Sequence, residues 1–262
     1  MFDNRPIGVF DSGMGGLSVW QALRRELPHE SLVYLADGKN CPYGNKPAAE
    51  VAEHVSHAID ELVRRNVKLI VVACNTATAV AIEAMRQRYP EIPFVGMEPA
   101  VKPAALTTKT GTIGILATRA ALAGELFRHT CEKYSDGVRI ISAVGEGFVE
   151  AVEEGRESDA DTLMRIRKAV GPMLEAGADK IVLGCTHYPF LARQIGQVIG
   201  EREVELINPA PAVARRAAWL LDQHHTAAAP DHKPDYSFVT FADDSYLARI
   251  TDKAMMLAEE EE

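Results

Sequence analysis

Cysteine is scarce in this sequence, and no two cysteines have the spacing of a metal site. The four that occur, Cys41, Cys74, Cys131 and Cys185, lie far apart in 262 residues, and no Cys-x-x-Cys segment is present. Zinc ribbons and thioredoxin-like motifs depend on such a pair. A chain of this length also buries enough surface to fold without a disulfide framework. The sequence therefore predicts a cytoplasmic protein with reduced thiols and no bound metal.

Positive charge and long apolar runs are also in short supply. Lys and Arg number 28 against 37 Asp and Glu, which gives a formal net charge of −9. Part of that excess is the run of glutamates at 259–262, a pattern typical of a solvated tail. Proteins that bind nucleic acid usually present a basic face, and a membrane span needs about 18 consecutive apolar residues. We therefore expect neither nucleic acid nor a membrane as a partner.

Short β-rich runs alternate with longer segments of helical spacing along the chain. The predicted strands are 7–10, 32–36, 69–73, 94–95, 112–116, 138–141, 180–183 and 204–206, with a further run at 236–241. The main predicted helices are 48–65, 77–89, 120–134, 159–176 and 210–223, and a helix at 245–258 closes the chain. Continuous apolar strands between amphipathic helices predict parallel sheets flanked by helices, which is an α/β fold.

Two pairs of segments point to an internal repeat. The segment 7–12 (IGVFDS) is similar to 113–118 (IGILAT), and 71–76 (VVACNT) is similar to 182–187 (VLGCTH). Either match alone is weak, because the strands of α/β proteins resemble one another. Two matches in the same order predict two similar α/β domains. We place the first domain at 1–97 plus 208–262 and the second at 98–207.

A glycine-rich segment, 11–16 (DSGMGG), stands between the first predicted strand and the helix after it. Glycines allow a close approach of the backbone to a ligand, and free amides at a helix start favour an anion. Neither the phosphate-loop pattern nor Gly-x-Gly-x-x-Gly is matched. A small carboxylate ligand and a plain strand-to-helix turn both remain open. Asp11 favours the ligand, because open α/β sheets bind ligands at the carboxyl ends of their strands.

Two cysteines follow predicted strands in equivalent places of the two halves. Cys74 comes after 69–73 and opens the next helix, where the positive end of the helix dipole favours the thiolate. Cys185 comes after 180–183, and we expect the same arrangement there, with His187 two residues away. A single such cysteine is more typical of the core. Two in equivalent positions indicate a function.

Paired thiols suggest a definite chemistry. One thiolate could remove a proton from one face of a small ligand while the other thiol returns a proton to the opposite face, and this stereoinversion needs no cofactor. Cys41 stands in a turn rich in Pro and Gly, and Cys131 lies inside a predicted helix, so neither has such a setting. The histidines at 224, 225 and 232 lie in an Ala- and Pro-rich stretch that favours a polar loop over a metal site.

Five motifs together resemble the bacterial glutamate racemases. They are DSGMGGLSV at 11–19, CPYGNK at 41–46, ACNTAT at 73–78, EPAVKPA at 98–104 and GCTHYPFL at 184–191. The resemblance covers residues 7 to about 210. It implies an enzyme without a cofactor that interconverts L- and D-glutamate and supplies D-glutamate for peptidoglycan synthesis. It also implies two α/β domains with the active site at the domain interface, glutamate as the substrate, and a homodimer.

The resemblance also assigns roles to individual residues. Cys74 resembles the base that acts on D-glutamate and Cys185 the base that acts on L-glutamate, with Asp11 and His187 assisting the two thiols. Glu153 resembles a further acidic residue near the second cysteine, with Glu150 and Glu154 as alternatives in the alignment. The substrate-binding positions are Asp11, Ser12, Tyr43, Gly44, Asn75, Thr76, Thr186 and His187.

Two stretches depart from the family's pattern, and other functions remain open. No proline stands just before the helix expected after 145–147, and 222–246 lacks the usual closing pattern. A racemase for aspartate or another small acid is one alternative, although related aspartate racemases tend to have glutamate where this chain has His187. A small-anion-binding protein without catalysis would not explain two cysteines. A hydrolase or transferase with Cys185 as nucleophile would leave Cys74 without a role.

Overall fold

The computed structural model describes residues 2–98, 100–134 and 136–259. These residues form two compact units. The first unit takes the described residues up to Met97 and from Ala210 onwards, and the second takes those from Glu98 to Pro209. The solvated tail predicted at 259–262 lies, beyond Glu259, outside the described residues.

Strands and helices alternate throughout the chain. The strands are β1 (Ile7–Asp11), β2 (Leu32–Ala36), β3 (Leu69–Val72), β4 (Phe94–Gly96), β5 (Thr112–Ala117), β6 (Arg139–Val144), β7 (Lys180–Gly184), β8 (Glu205–Ile207) and β9 (Tyr236–Thr240). The helices are α1 (Leu17–Glu26), α2 (Ala48–Arg64), α3 (Asn75–Arg88), α4 (Val101–Thr107), α5 (Arg119–Ala123), α6 (Glu125–Tyr134), α7 (Phe148–Glu153), α8 (Ala160–Glu175), α9 (Ala192–Ile199), α10 (Ala210–Gln223) and α11 (Asp244–Glu259). Short 3₁₀ turns occupy Gly38–Asn40, Tyr43–Asn45 and Tyr188–Leu191.

Each unit is built on its own parallel sheet. The first sheet has the order β4-β3-β1-β2-β9, and the second has the order β6-β5-β7-β8. Every strand pairing in both sheets is parallel. Strands β1, β2, β3, β5 and β7 are buried along their whole length, as expected for sheets covered on both faces. The predicted fold class, two similar α/β halves, is confirmed.

The two sheets share one topology. Counted within its own unit, the first strand lies between the second and the third, and the fourth lies beyond the third. The side of the sheet on which successive strands are added therefore switches at β1 in one sheet and at β5 in the other. Open α/β sheets bind ligands at such switch points, at the carboxyl ends of the strands. These ends are where β1 and β3 deliver Asp11 and Cys74, and where β7 delivers Cys185.

The C-terminal segment completes the first sheet. Strand β9 pairs with β2 at the edge, and helix α10 packs against α1. The connection between them is held by a buried ion pair, in which Lys68 Nζ lies 2.6 Å from Glu30 Oε2. Lys68 Nζ also donates to the carbonyl of Thr226 at 2.8 Å, and Glu30 Oε1 accepts from the amide of Ala228 at 2.7 Å. A buried pair with these extra hydrogen bonds compensates much of the cost of desolvating two charges.

The predicted elements form with small changes at their ends. The main difference is the predicted helix at 120–134, which divides at Gly124 into α5 and α6. Thr118 starts α5, because its Oγ1 accepts from the amide of Ala121 at 3.2 Å. The histidine-containing stretch after α10 runs as a loop, where His232 Nε2 lies 3.0 Å from Ser31 Oγ. Within the described ranges, no helix combines the length and apolarity required to cross a membrane.

Candidate active site

The glycine-rich loop turns back on the aspartate at its start. Asp11, the last residue of β1, is fully buried, and its Oδ2 accepts from the amide of Gly13 at 3.0 Å. The carbonyl of Gly13 accepts from the hydroxyl of Tyr34, on β2, at 2.7 Å. A Cβ on Gly16 would lie 2.5 Å from Asp11 Cβ and 2.9 Å from the Tyr34 hydroxyl. Glycine at 16 is therefore required by this close approach.

Cys74 occupies the N-cap of α3. Its Sγ accepts from the amide of Ala77 at 3.5 Å and donates to Ser12 Oγ at 3.6 Å. Only 6% of the residue is exposed. The free amides and the positive end of the dipole at this helix terminus stabilise a thiolate. The predicted placement of Cys74 at a helix start is what the structure has, and Ser12 joins it through the loop after β1.

Asn75, the first residue of α3, has a buried amide group. The residue is 5% exposed, and neither Nδ2 nor Oδ1 has a hydrogen-bond partner among the described residues. Leaving such a group unsatisfied costs about 1–3 kcal/mol. Thr76 beside it is also buried. A buried amide with free hydrogen-bonding capacity next to a cysteine can donate to and accept from a small polar ligand.

Tyr43 and Gly44 lie in the 3₁₀ turn Tyr43–Asn45. The hydroxyl of Tyr43 donates to Asp37 Oδ2 at 2.6 Å, and Asn40 Nδ2 donates to both carboxylate oxygens at 3.0 Å. Burial, and then the hydrogen bond to Asp37, raise the pKa of Tyr43 far above its usual value, so the phenol stays neutral. The sequence reasoning missed Asp37, although a carboxylate directly after the predicted strand at 32–36 was a usable signal.

The local structure after Cys185 differs from the prediction. We expected Cys185 to open a helix, but residues 185–187 form a turn, the 3₁₀ segment Tyr188–Leu191 follows, and α9 begins only at Ala192. Pro189 stands in the first turn of the 3₁₀ segment, where it lacks an amide for a helical hydrogen bond. The thiol therefore does not cap an α-helix.

An imidazole takes the place of the helix start beside Cys185. His187 Nδ1 lies 3.8 Å from Cys185 Sγ and 3.4 Å from Thr186 Oγ1, and all three residues are buried. On its other side, His187 Nε2 lies 2.6 Å from Glu153 Oε1. A carboxylate that accepts from Nε2–H leaves Nδ1 of the neutral ring as an acceptor for the thiol proton.

Glu153 reaches His187 from the last residue of α7. Its neighbour Glu154 instead forms an ion pair with Arg156, 2.7 Å away. The missing proline before this helix is replaced by Gly147, whose φ of 77° provides the turn into α7. Tyr188 closes the same region, because its hydroxyl points to the carbonyl of Gly145 at 3.5 Å. Burial, and then the nearby Cys185, raise the pKa of Tyr188, so this phenol is neutral as well.

The other two cysteines are less buried than Cys74 and Cys185. Cys41 is half-buried between the 3₁₀ turns Gly38–Asn40 and Tyr43–Asn45. Cys131 is half-buried in α6, where burial, and then the charge of Glu132, raise the pKa of the thiol. A raised pKa disfavours the thiolate and hence reactivity.

The structure thus collects the predicted residues into two clusters. In the first unit, Asp11, Ser12, Cys74, Asn75 and Thr76 lie at the carboxyl ends of the neighbouring strands β1 and β3. In the second unit, a cluster lies beyond β7 and contains Cys185, Thr186, His187 and Glu153. Each cluster pairs a buried thiol with groups able to accept or donate a proton. The placement of one site at a domain interface stays a prediction.

Comparisons with known proteins agree on one family. Residues 7–217 match the sequence profile of the Asp/Glu/hydantoin racemases. The glutamate racemase of Roseiflexus sp. (strain RS-1) is 47% identical over 219 residues, which cover 84% of this chain and 80% of that protein. A glutamate racemase isoform from Bacillus anthracis matches with a TM-score of 0.86 at 31% identity, with 97% of this chain and 95% of that chain covered. The Escherichia coli glutamate racemase, crystallised with L-glutamate and the activator UDP-MurNAc-Ala, matches with a TM-score of 0.83 at 33% identity over 95% of each chain.

Proposed function

This chain belongs to the Asp/Glu/hydantoin racemase family, and on that premise we propose that it is a glutamate racemase that uses two cysteines. The observation that carries the proposal is the pair of buried thiols, Cys74 and Cys185, after equivalent strands of two sheets with one topology. Both stereochemical directions then use the same groups with their roles exchanged. No cofactor is required, because the thiols supply and accept the proton themselves.

The proposed reaction moves one proton off the α-carbon and another onto it. With D-glutamate, the Cys74 thiolate removes the α-proton and leaves a planar carbanion with the electron pair delocalised into the α-carboxylate. The Cys185 thiol then donates its proton to the opposite face, which gives L-glutamate, a Cys74 thiol and a Cys185 thiolate. With L-glutamate, Cys185 acts as the base and Cys74 as the acid. Atoms and charges balance in both directions.

Each thiol has its own means of exchanging protons. For Cys74, the start of α3 stabilises the thiolate, and Ser12 Oγ accepts from the thiol. We assign Asp11, which lies under the same loop, as the carboxylate that assists it. For Cys185, His187 is the partner, and Glu153 holds the ring so that Nδ1 faces the thiol.

Binding of the substrate has to overcome the charge of the protein. Glutamate brings two carboxylates to a chain of formal net charge −9. Local donors therefore have to outweigh the overall field, and helix N-termini and neutral side chains serve this purpose. The amide of Asn75, which has no partner in the part of the chain that the structure describes, is one such donor. Further binding positions in the proposal are Asp11, Ser12, Tyr43, Gly44, Thr76, Thr186 and His187.

The choice of glutamate and the cellular role are part of the proposal. The E. coli relative was crystallised with L-glutamate, and we extend that substrate to this chain. We further propose that the protein is a cytoplasmic homodimer that supplies D-glutamate for peptidoglycan synthesis.

The experiment that tests the proposal follows each enantiomer in D₂O. Purified protein is incubated with L- or D-glutamate, and circular dichroism records the loss of optical activity while proton NMR records deuteration of the α-carbon. We expect both signals from both enantiomers at similar kcat/KM, because the equilibrium constant of a racemisation is one. L- and D-aspartate serve as matched substrates one methylene shorter. Faster turnover of aspartate, or no exchange with glutamate, would contradict the proposal.

A further inference from the structure

A buried tyrosine donates a hydrogen bond to the backbone of the glycine-rich loop beside Cys74. Tyr34 is completely buried on β2, and its hydroxyl donates to the carbonyl of Gly13 at 2.7 Å. That distance is the usual one for a well-formed O–H···O hydrogen bond, and it places the donor on the peptide that links Gly13 to the rest of the loop. We propose that Tyr34 is a positioning residue for the Cys74 half of the reaction. The inference rests on the proposed racemase activity.

A series of hydrogen bonds through residues 11–13 links Tyr34 to the thiol of Cys74. The carbonyl of Gly13 is held by Tyr34, and the amide of Gly13 donates to Asp11 Oδ2 at 3.0 Å. Ser12, the residue between them, accepts from Cys74 Sγ at 3.6 Å. The phenol therefore orients the peptide segment that carries Ser12, which contacts Cys74 Sγ, and that is tied back to Asp11. Misplacement of a catalytic group by about 1 Å can cost on the order of a hundredfold in rate.

The packing around Tyr34 shows that the hydroxyl alone can be removed without collapse. The ring of Tyr34 lies 6.2 Å from the ring of Phe238, on β9, and Trp20 lies 5.6 Å from the same phenylalanine. These aromatic contacts do not involve the hydroxyl, so a phenylalanine at position 34 keeps them. The carbonyl of Gly13 then loses a buried donor, and the loop gains freedom at the point nearest Cys74.

The second unit has a weaker counterpart of this device. Tyr188 is also buried and directs its hydroxyl at the carbonyl of Gly145, but at 3.5 Å. Gly145 belongs to the turn before α7, and not to the turn that holds Cys185. The proposal therefore concerns Cys74 only and predicts an effect on one of the two thiols.

The test is the variant Tyr34→Phe, with Tyr89→Phe as the matched control. The hydroxyl of Tyr89 also donates a partly buried hydrogen bond, to Asp60. Tyr89 lies at the C-terminal end of α3, whereas Cys74 lies at its N-terminal end. For Tyr34→Phe we expect kcat/KM for glutamate to fall about tenfold. We also expect the deuterium isotope effect to rise with α-deuterated D-glutamate and to fall with α-deuterated L-glutamate, because proton transfer at Cys74 becomes more limiting. Tyr89→Phe should leave both isotope effects unchanged.

A second readout is independent of racemase activity. Alkylation by iodoacetamide, followed peptide by peptide by mass spectrometry, reports the accessibility of each thiol in the absence of substrate. In Tyr34→Phe we expect Cys74 to be alkylated about threefold faster or more, which corresponds to about 0.65 kcal/mol, and the rate at Cys185 to be unchanged. Equal changes at both thiols, or unchanged isotope effects, would overturn the positioning role. If the wild-type protein does not racemise glutamate, the proposed function fails, and the alkylation ratio still decides whether Tyr34 orders this loop.

Discussion

Cys74 and Cys185 follow equivalent strands of two sheets with the same order, yet their immediate surroundings are built differently. Cys74 caps a helix of 14 residues and shares its proton with a serine hydroxyl. Cys185 sits in a turn before a short 3₁₀ segment and faces an imidazole. One thiol depends on backbone amides and a helix dipole, whereas the other depends on a side chain that can itself be protonated.

The difference shows that the shared sheet topology determines where the two cysteines lie but not which groups surround them. Topology brings both cysteines to the carboxyl ends of strands beside a switch point. The residues that follow decide what stabilises the thiolate. After Cys74, Asn75 and Thr76 continue into a helix, whereas Pro189 after Cys185 prevents an immediate helical ladder. Glu153 then holds the imidazole from its other side, at Nε2.

The largest expected effect tests whether the two thiols are equivalent in function. Replacing either one, as Cys74→Ala or Cys185→Ala, should lower kcat by about 10²–10⁴-fold or more, because each removes one of two acid–base groups. The double variant should be no slower than the slower single variant, since the two thiols act as a unit. Racemisation rates by circular dichroism check this, with Cys131→Ala as a control that keeps full activity. Normal α-exchange in D₂O in both single variants would contradict the two-thiol mechanism.

The next effect separates the two kinds of proton partner. His187→Asn removes the acceptor 3.8 Å from Cys185, and we expect kcat to fall about a hundredfold. Glu153→Gln acts through His187 and should cost about tenfold, because loss of a residue that orients a functional imidazole typically costs about 10–100-fold. Steady-state kinetics in both directions measure these values. A larger loss for Glu153→Gln than for His187→Asn would contradict the assigned order of contact.

A smaller effect distinguishes binding from folding at the start of α3. Asn75→Ala removes a buried amide without a partner among the described residues, so the free energy of unfolding should stay the same or rise by up to about 3 kcal/mol while KM rises about tenfold. Thr78→Val is the matched control on the same helix. Its Oγ1 accepts from the amide of Met97 at 3.0 Å, so this variant should lose about 1–3 kcal/mol with KM unchanged. Urea unfolding and kinetics measured on the same samples decide the case.

The smallest effect concerns Cys131, which lies in α6. Burial, and then Glu132, raise the pKa of Cys131, so its thiolate fraction at a given pH is below that of an ordinary cysteine. Alkylation of Cys131 should therefore increase only at pH values above those needed by a free cysteine peptide. Glutamate should protect Cys74 or Cys185 from alkylation and leave Cys131 unaffected. Protection of Cys131 by substrate would place the site elsewhere.

Much of the fold was predictable because it depends on local periodicity. The strands around Asp11 and Cys74 are continuous apolar runs, and their burial follows from composition alone. The expectation that 208–262 belongs with the first domain came from finding two similar halves and a segment left over after the second. The division of the helix at Gly124 was missed, because a glycine inside a helical pattern does not by itself end the helix.

Local sequence was enough to place the two cysteines after strands, together with the glycine-rich loop and the neighbouring polar residues, because strand, turn and motif are adjacent along the chain. Tertiary structure alone decided that Glu153 holds His187, that Asp37 holds Tyr43, and that Tyr34 reaches Gly13. It also decided that Cys185 lies against an imidazole rather than at a helix start. Most of these contacts join different strands, turns and helices, and the partner of a polar group there depends on sheet order and register, which local periodicity does not encode.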